Sequence, residues 1–229
     1  CVEAAARRVP VIAGAGSNDT AAAIELSRAA KQAGADAVLL VAPYYNKPSQ
    51  DGLVAHYTAI SRAVDIPMVI YNVPSRTVVD ISVETMGRLA KLANVVGVKD
   101  ASGDRTRVER HREICGEDFI QLSGNDDTAI DFCQLGGKGV ISVTANVAPR
   151  LCAQAQAALA RGDMEAARDL DAKMSGLHRA VFIEPSPAPA KYACSLLGKA
   201  TEEVRLPLIR CSESAKGIIR AAMVQADLI

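Results

Sequence analysis

Short apolar runs recur along the chain at a near-constant interval: Val9–Ala15, Ala37–Ala42, Pro67–Val73, Val95–Lys99, Phe119–Gly124 and Gly139–Ala145. Each is rich in Val, Ile or Leu and almost continuously apolar. That is the pattern of a parallel strand buried on both faces, not of a strand with one wet face. The segments between them read as helices, four of ordinary length and a shorter fifth over 127–134. Polar caps mark their starts. Ser17-Asn18-Asp19 precedes a helix over 20–33 that Gly34 ends, and Ser49 or Asp51 stands before one that stops near 64, ahead of Pro67. Ser82 opens a helix to about 93, and Asp104 or Thr106 one to about 115. Asp126 or Asp127 caps the short one, and Pro149 sits in the first turn of the helix after the last strand.

The order is therefore strand–helix repeated six times, followed by helices at roughly 163–182, 187–197 and 212–227. Such alternation makes a parallel sheet with right-handed crossovers, either an open doubly wound sheet or a closed barrel. Polar and small residues follow every strand: Gly14-Ala15-Gly16, Pro43-Tyr44-Tyr45-Asn46, Tyr71-Asn72, Lys99-Asp100, Ser123-Gly124-Asn125-Asp126 and Thr144-Ala145-Asn146. Chemistry spread over all strand ends favours the barrel, because a doubly wound sheet gathers its site at one switch point. The expected fold class is α/β, a (β/α)8 TIM barrel with a C-terminal helical extension, here lacking the first two strands. Barrel units three to eight would occupy 1–160 and the helical region 161–229. The opening Cys1-Val2-Glu3-Ala4-Ala5-Ala6-Arg7-Arg8 reads as the end of an amphipathic helix entered midway.

Composition narrows the function classes. The chain is 49% hydrophobic, enough for a sizeable core, and its 26 basic side chains balance 26 acidic ones. No basic field points to nucleic acid or an anionic membrane, and the 3% aromatic content leaves little for base stacking. No apolar run reaches membrane-spanning length. The six cysteines form no C-x-x-C pair and read as small core residues of a reduced, cytoplasmic protein.

The candidate chemistry centres on V-V-G-V-K-D-A-S-G at 95–103, where an apolar strand ends on a lysine. If Lys99 faces the interior, alternation places Gly97 and Val95 beside it and turns Val96 and Val98 toward the helices. Tyr71 ends the preceding strand, so its hydroxyl and the Lys99 amine can meet over the strand ends. A lysine in a partly dry site has its charged form disfavoured and can attack a ketone to form an imine. A neighbouring phenol can relay the protons, and the imine itself is the electron sink, so no cofactor is needed. The bland alternative is a strand-end lysine reaching to water. Arg76, in P-S-R-T, is suited to gripping a carboxylate, or is a solvated loop residue. The glycine-rich G-A-G-S-N-D at 14–19 reads as a turn and not a phosphate loop. Asp126 and Asp127 suit capping better than a metal. His56, His111 and His178 lie on helices away from the strand ends, and R-T-R-V-E-R-H-R at 105–112 reads as a solvated face.

Y-N-V-P-S-R-T at 71–77 with G-V-K-D at 97–100 resembles the dihydrodipicolinate synthase family, within the pyruvate-dependent class I aldolases that include N-acetylneuraminate lyase. P-Y-Y-N-K-P at 43–48, L-S-G-N-D at 122–126, G-G-K-G-V-I-S-V-T-A-N at 136–146 and F-I-E-P-S-P at 182–187 extend the resemblance from Val9 to Pro207. It implies condensation of pyruvate with L-aspartate-4-semialdehyde in lysine and diaminopimelate synthesis. Lys99 would form the imine, Tyr71 would move protons beside it, and Tyr45 would complete a proton relay by reaching into a neighbouring subunit. Arg76 would hold the semialdehyde carboxylate, while Ile141 and Gly124 would line the pyruvate pocket. A dimer or tetramer is implied, with no nucleic-acid or membrane partner. Arg76 favours the synthase over the sialic acid lyases, which lack S-R-T after Y-N-x-P. The family's Gly-Thr-Thr-Gly-Glu segment is not in this sequence, which keeps an inactive, truncated barrel as the alternative. Asn18 and Tyr44 match the family's lysine-feedback site, but Ala22 stands where inhibited relatives carry glutamate. A phosphosugar enzyme would need a glycine phosphate turn in the last loops, which read S-G-N-D-D and T-A-N-V-A-P.

Overall fold

The computed structural model describes all residues, 1–229. Six strands form one parallel sheet: β1 (Ile12–Gly14), β2 (Ala37–Val41), β3 (Met68–Asn72), β4 (Val95–Asp100), β5 (Ile120–Ser123) and β6 (Gly139–Val140). Each strand lies beside its predecessor in the chain, and the order never reverses. That order excludes the doubly wound alternative, whose sheet turns back at a switch point.

Two compact units divide the chain. The first comprises residues 1–124 and 134–140 and carries the whole sheet. Its helices are α1 (Val2–Ala5), α2 (Thr20–Gln32), α3 (Gln50–Ala63), α4 (Pro74–Thr77), α5 (Val83–Leu89) and α6 (Arg107–Cys115). Alternation along the strands sends Val38, Leu40, Met68, Ile70 and Val98 to one face. There they form a continuous core with Leu53, Tyr57 and Ile60 of α3, Met86 and Leu89 of α5, and Ile81. Asp19, Ser49 and Ser82 cap α2, α3 and α5, accepting from the backbone N–H of Ala22, Gly52 and Thr85.

Residues 125–133 and 141–229 make the second unit. It holds α7 (Ala129–Gln134, whose last residue falls in the first unit), α8 (Pro149–Ala160), α9 (Met164–Ala180), α10 (Ala188–Leu196) and α11 (Glu213–Gln225). The core of this unit joins Ala155 and Ala158 of α8, Met174 and Leu177 of α9, and Ile219 and Met223 of α11.

Three expectations change. β6 stops at Val140 instead of running to Ala145. The carboxylate of Asp126 accepts from the backbone N–H of Val143 and Thr144 (2.9 and 3.2 Å), and Ser142 Oγ accepts from Ala145 N. These bonds divert the chain into a short 3-10 turn, Thr144–Asn146. The Asp126 carboxylate is thus committed to this loop. Second, the β3–β4 ladder shifts register between Met68 and Val69, so that Met68 pairs with Val95 and Val69 with Gly97. Val96 is the extra residue of a bulge. Val95 consequently joins the helix-facing core instead of the Lys99 face. Third, Arg107 is not on a solvated face: its side chain is 13% exposed and ion-paired.

Candidate active site

Past the bulge, alternation holds as the sequence requires. Val69 and Tyr71 of β3 stand opposite Gly97 and Lys99 of β4, with Tyr71 paired directly to Lys99 and Asn72 to Asp100. The Lys99 ammonium nitrogen lies over the Tyr71 ring, 4.0 Å from its centroid. The contact seen is thus with the ring face, a cation–π geometry, where sequence reasoning anticipated the hydroxyl. Both side chains are half-buried. Burial pushes the Tyr71 phenol above its ordinary value of 10.0, and the Arg76 guanidinium pulls the other way. The phenol therefore stays protonated through the neutral range, able both to give and to accept a proton.

Space for Lys99 comes from glycine. A Cβ on Gly124 would stand 2.6 Å from Ala101 Cβ and 3.2 Å from Lys99 Cε. Gly124 also donates its backbone N–H to Asp100 O at 2.7 Å, which fastens the end of β5 to that of β4. Close approach makes the same demand at Gly16, where a Cβ would meet Val41 N at 2.5 Å.

Arg76 lies in α4, one turn beyond Tyr71. Pro74 starts this helix, Val78 ends it in the left-handed region (φ 61°), and buried Thr77 Oγ1 lies within bonding distance of Val73 O and Val79 O. Thr77 anchors the turn while Arg76 stays exposed. Tyr45 is 87% exposed on a left-handed backbone (φ 73°). Its loop is tied to the start of α2: Asn18 Nδ2 donates to Tyr44 O, and Asn46 Nδ2 donates to Asn18 O. Ile141 directly follows β6 and is half-buried; it belongs to the second unit.

The three histidines are buried within helices, as residues of the core. His56 Nδ1 bonds Thr20 Oγ1 at 2.9 Å, and burial lowers its pKa below 6.5, partly opposed by Asp19. His178 bridges Thr144 and Asp171. Sequence reasoning missed the polar cluster around Arg107, which comprises Asn72, Asp80, Asp100 and Ser102. The available signal was alternation itself, since residues after Tyr71 and Lys99 must face the opposite side.

The model of the dihydrodipicolinate synthetase family matches residues 1–226. The chain belongs to this family. The dihydrodipicolinate synthetase relatives include the 4-hydroxy-tetrahydrodipicolinate synthase of Rhodospirillum centenum, 59% identical over all of this chain and 79% of its own length. The enzyme of the same name from Hyphomonas neptunium is 57% identical over all of this chain and 78% of its own. Among solved structures, the chloride-inhibited dihydrodipicolinate synthase of Acinetobacter baumannii, complexed with pyruvate, superposes with a TM-score of 0.96 at 44% identity, covering 100% of this chain and 78% of that one. A structure described as the first monomeric dihydrodipicolinate synthase variant matches with a TM-score of 0.96 at 40% identity, over 100% and 77%.

Proposed function

We propose that this chain is a 4-hydroxy-tetrahydrodipicolinate synthase, a lyase that condenses pyruvate with L-aspartate-4-semialdehyde in lysine and diaminopimelate synthesis. The observation that carries the reading is the direct pairing of Tyr71 with Lys99, the amine lying against the phenol ring in space kept open by Gly124. In this reading the neutral Lys99 amine attacks the pyruvate carbonyl carbon, and Tyr71 passes protons to and from the oxygen as water leaves. Loss of a methyl proton from the imine gives an enamine. Its carbon bonds to the semialdehyde carbon, whose oxygen takes up a proton. The amine of the second substrate then displaces Lys99, closing the ring and regenerating the enzyme. The imine nitrogen takes up the electron pair as the methyl proton leaves and returns it when the carbon–carbon bond forms, so no cofactor enters the balance.

Arg76 has the role of holding the semialdehyde carboxylate; its exposure and the pull of its charge on the Tyr71 phenol support this. Gly124 lines the pyruvate pocket beside Lys99. Tyr45, too exposed to act alone, completes the proton relay from a second copy in a dimer or tetramer. The six sequential parallel strands are six units of a (β/α)8 barrel over 1–160, with 161–229 as a helical extension. No helix is long and apolar enough to cross a membrane. The test is an aldehyde screen in the presence of pyruvate. Turnover of aspartate-semialdehyde with little cleavage of N-acetylneuraminate is the expected result; the reverse preference would overturn the reading.

A further inference from the structure

The side chains that follow Tyr71 and Lys99 in sequence meet on the opposite face of the sheet. Asn72 pairs with Asp100 across the ladder, and the two are 0% and 5% exposed. Asn72 Oδ1 accepts from Ile81 N at 3.1 Å, and its Nδ2 donates to Asp80 Oδ1 at 2.8 Å. Asp100 Oδ1 accepts from both the N–H and the hydroxyl of Ser102, at 2.8 and 2.5 Å. One guanidinium holds the cluster together. Arg107, from α6, grips Asp80 with two parallel bonds of 2.8 and 2.5 Å and donates to Ile81 O at 3.1 Å. Its Nη1 also lies 3.9 Å from Asp100 Oδ2, and its Nε 3.7 Å from Asp104 Oδ2. Burial works against the charge on Arg107, but the bond to Asp80 and the charges of Asp80, Asp100 and Asp104 outweigh it and raise the pKa.

We propose that Arg107 is a positioning residue for Lys99 and Tyr71, acting through Asp80, Asn72 and Asp100 to lock together the ends of β3 and β4. The inference rests on the Schiff-base reading above. Arg107 is the cation between Asp80 and the buried carboxylate of Asp100. Without it the two carboxylates repel on either side of the Asn72 amide, whose Nδ2 lies 2.8 Å from Asp80 Oδ1 and 3.5 Å from Asp100 Oδ2, and Asn72 and Asp100 are the pair immediately beyond Tyr71 and Lys99. A shift there is transmitted through a single peptide unit to each reacting side chain. The loss of Arg107 therefore acts on the geometry of the chemical steps, imine formation by Lys99 included.

The test compares Arg107→Met, Arg107→Lys and Asp80→Asn with the wild-type chain. Asp80 is exposed, so its variant breaks the bidentate grip without leaving a buried hole. Each is assayed for kcat per folded chain, for KM toward pyruvate, and for borohydride labelling of Lys99 with pyruvate. Expected is a kcat loss of about 10- to 100-fold in Arg107→Met, the size of effect that displacement of about 1 Å produces. Asp80→Asn should show the same pattern more weakly, Arg107→Lys should recover part of the rate, and KM should stay within about 3-fold. Lowered thermal stability with unchanged kcat per folded chain in both Arg107→Met and Asp80→Asn would overturn the inference alone. Absence of Lys99 labelling in the wild-type chain would overturn the Schiff-base reading and the inference with it.

Discussion

Replacing Gly124 with alanine adds one carbon at the most crowded point beside Lys99. The backbone there is not in the left-handed region, so the cost is steric and not conformational. The new Cβ would stand 2.6 Å from Ala101 Cβ and 3.2 Å from both Asp100 O and Lys99 Cε. Carbon atoms rest at about 3.5–4.0 Å, so relief needs a separation of roughly 1 Å between the ends of β4 and β5. Overpacking of this kind costs about 1–3 kcal/mol. For a domain of this size a loss of about 2 kcal/mol lowers Tm by about 4–8 °C. The same movement displaces Lys99, and a misplacement of about 1 Å costs up to about 100-fold in rate. Steady-state condensation kinetics and thermal unfolding check the two numbers separately. Gly14→Ala is the control, because a Cβ there meets nothing within 4 Å and its φ is not left-handed. A Gly124→Ala chain with wild-type kcat and Tm would refute the argument that glycine makes room for the lysine.

Tyr71→Phe should cut kcat by about 100-fold while leaving KM for pyruvate nearly unchanged, since the lost group acts in proton transfer; steady-state kinetics decide it. Because burial raises the Tyr71 phenol, the alkaline limb of the pH–rate profile that belongs to it should lie above pH 10.0. Arg76→Ala removes the opposing charge and should move that limb higher still, while raising KM for the semialdehyde; a downward move would contradict the assignment. His56 and His111 both have folded pKa values held below 6.5, chiefly by burial. Their neutral forms stabilise the fold fully above 6.5, and the contribution is lost as pH falls below 6.5 toward the folded values. Denaturant titrations across pH 7 to 5 should show this fall, and a flatter one in His56→Gln.

Much of this was legible along the chain, because buried parallel strands need apolar runs and helices need caps that single residues supply. β2, β3, β4 and β5 lie where Val, Ile and Leu cluster, and Asp19, Ser49 and Ser82 cap as their residue types demand. Tyr71 and Lys99 were legible as a pair for the same reason: parity and strand order bring them together whatever the loops do. The failures have one cause, side chains whose partners lie far along the chain. The grip of Asp126 on Val143 and Thr144 ends β6 from a distance of 17 residues. Arg107 sits in a run of charges that any local reading assigns to solvent, yet Asp80 is its partner, 27 residues earlier. The bulge at Val96 had one local mark, the neighbouring Gly97, but its place shows only in the pairing with β3.

The central claim is that Lys99 is the nucleophile. Incubation of the protein with pyruvate and borohydride, followed by peptide mass analysis, tests it directly. The account predicts one reduced pyruvyl group per chain, confined to the peptide carrying Lys99 and absent in Lys99→Arg. Labelling at another lysine, or none at all, would contradict it.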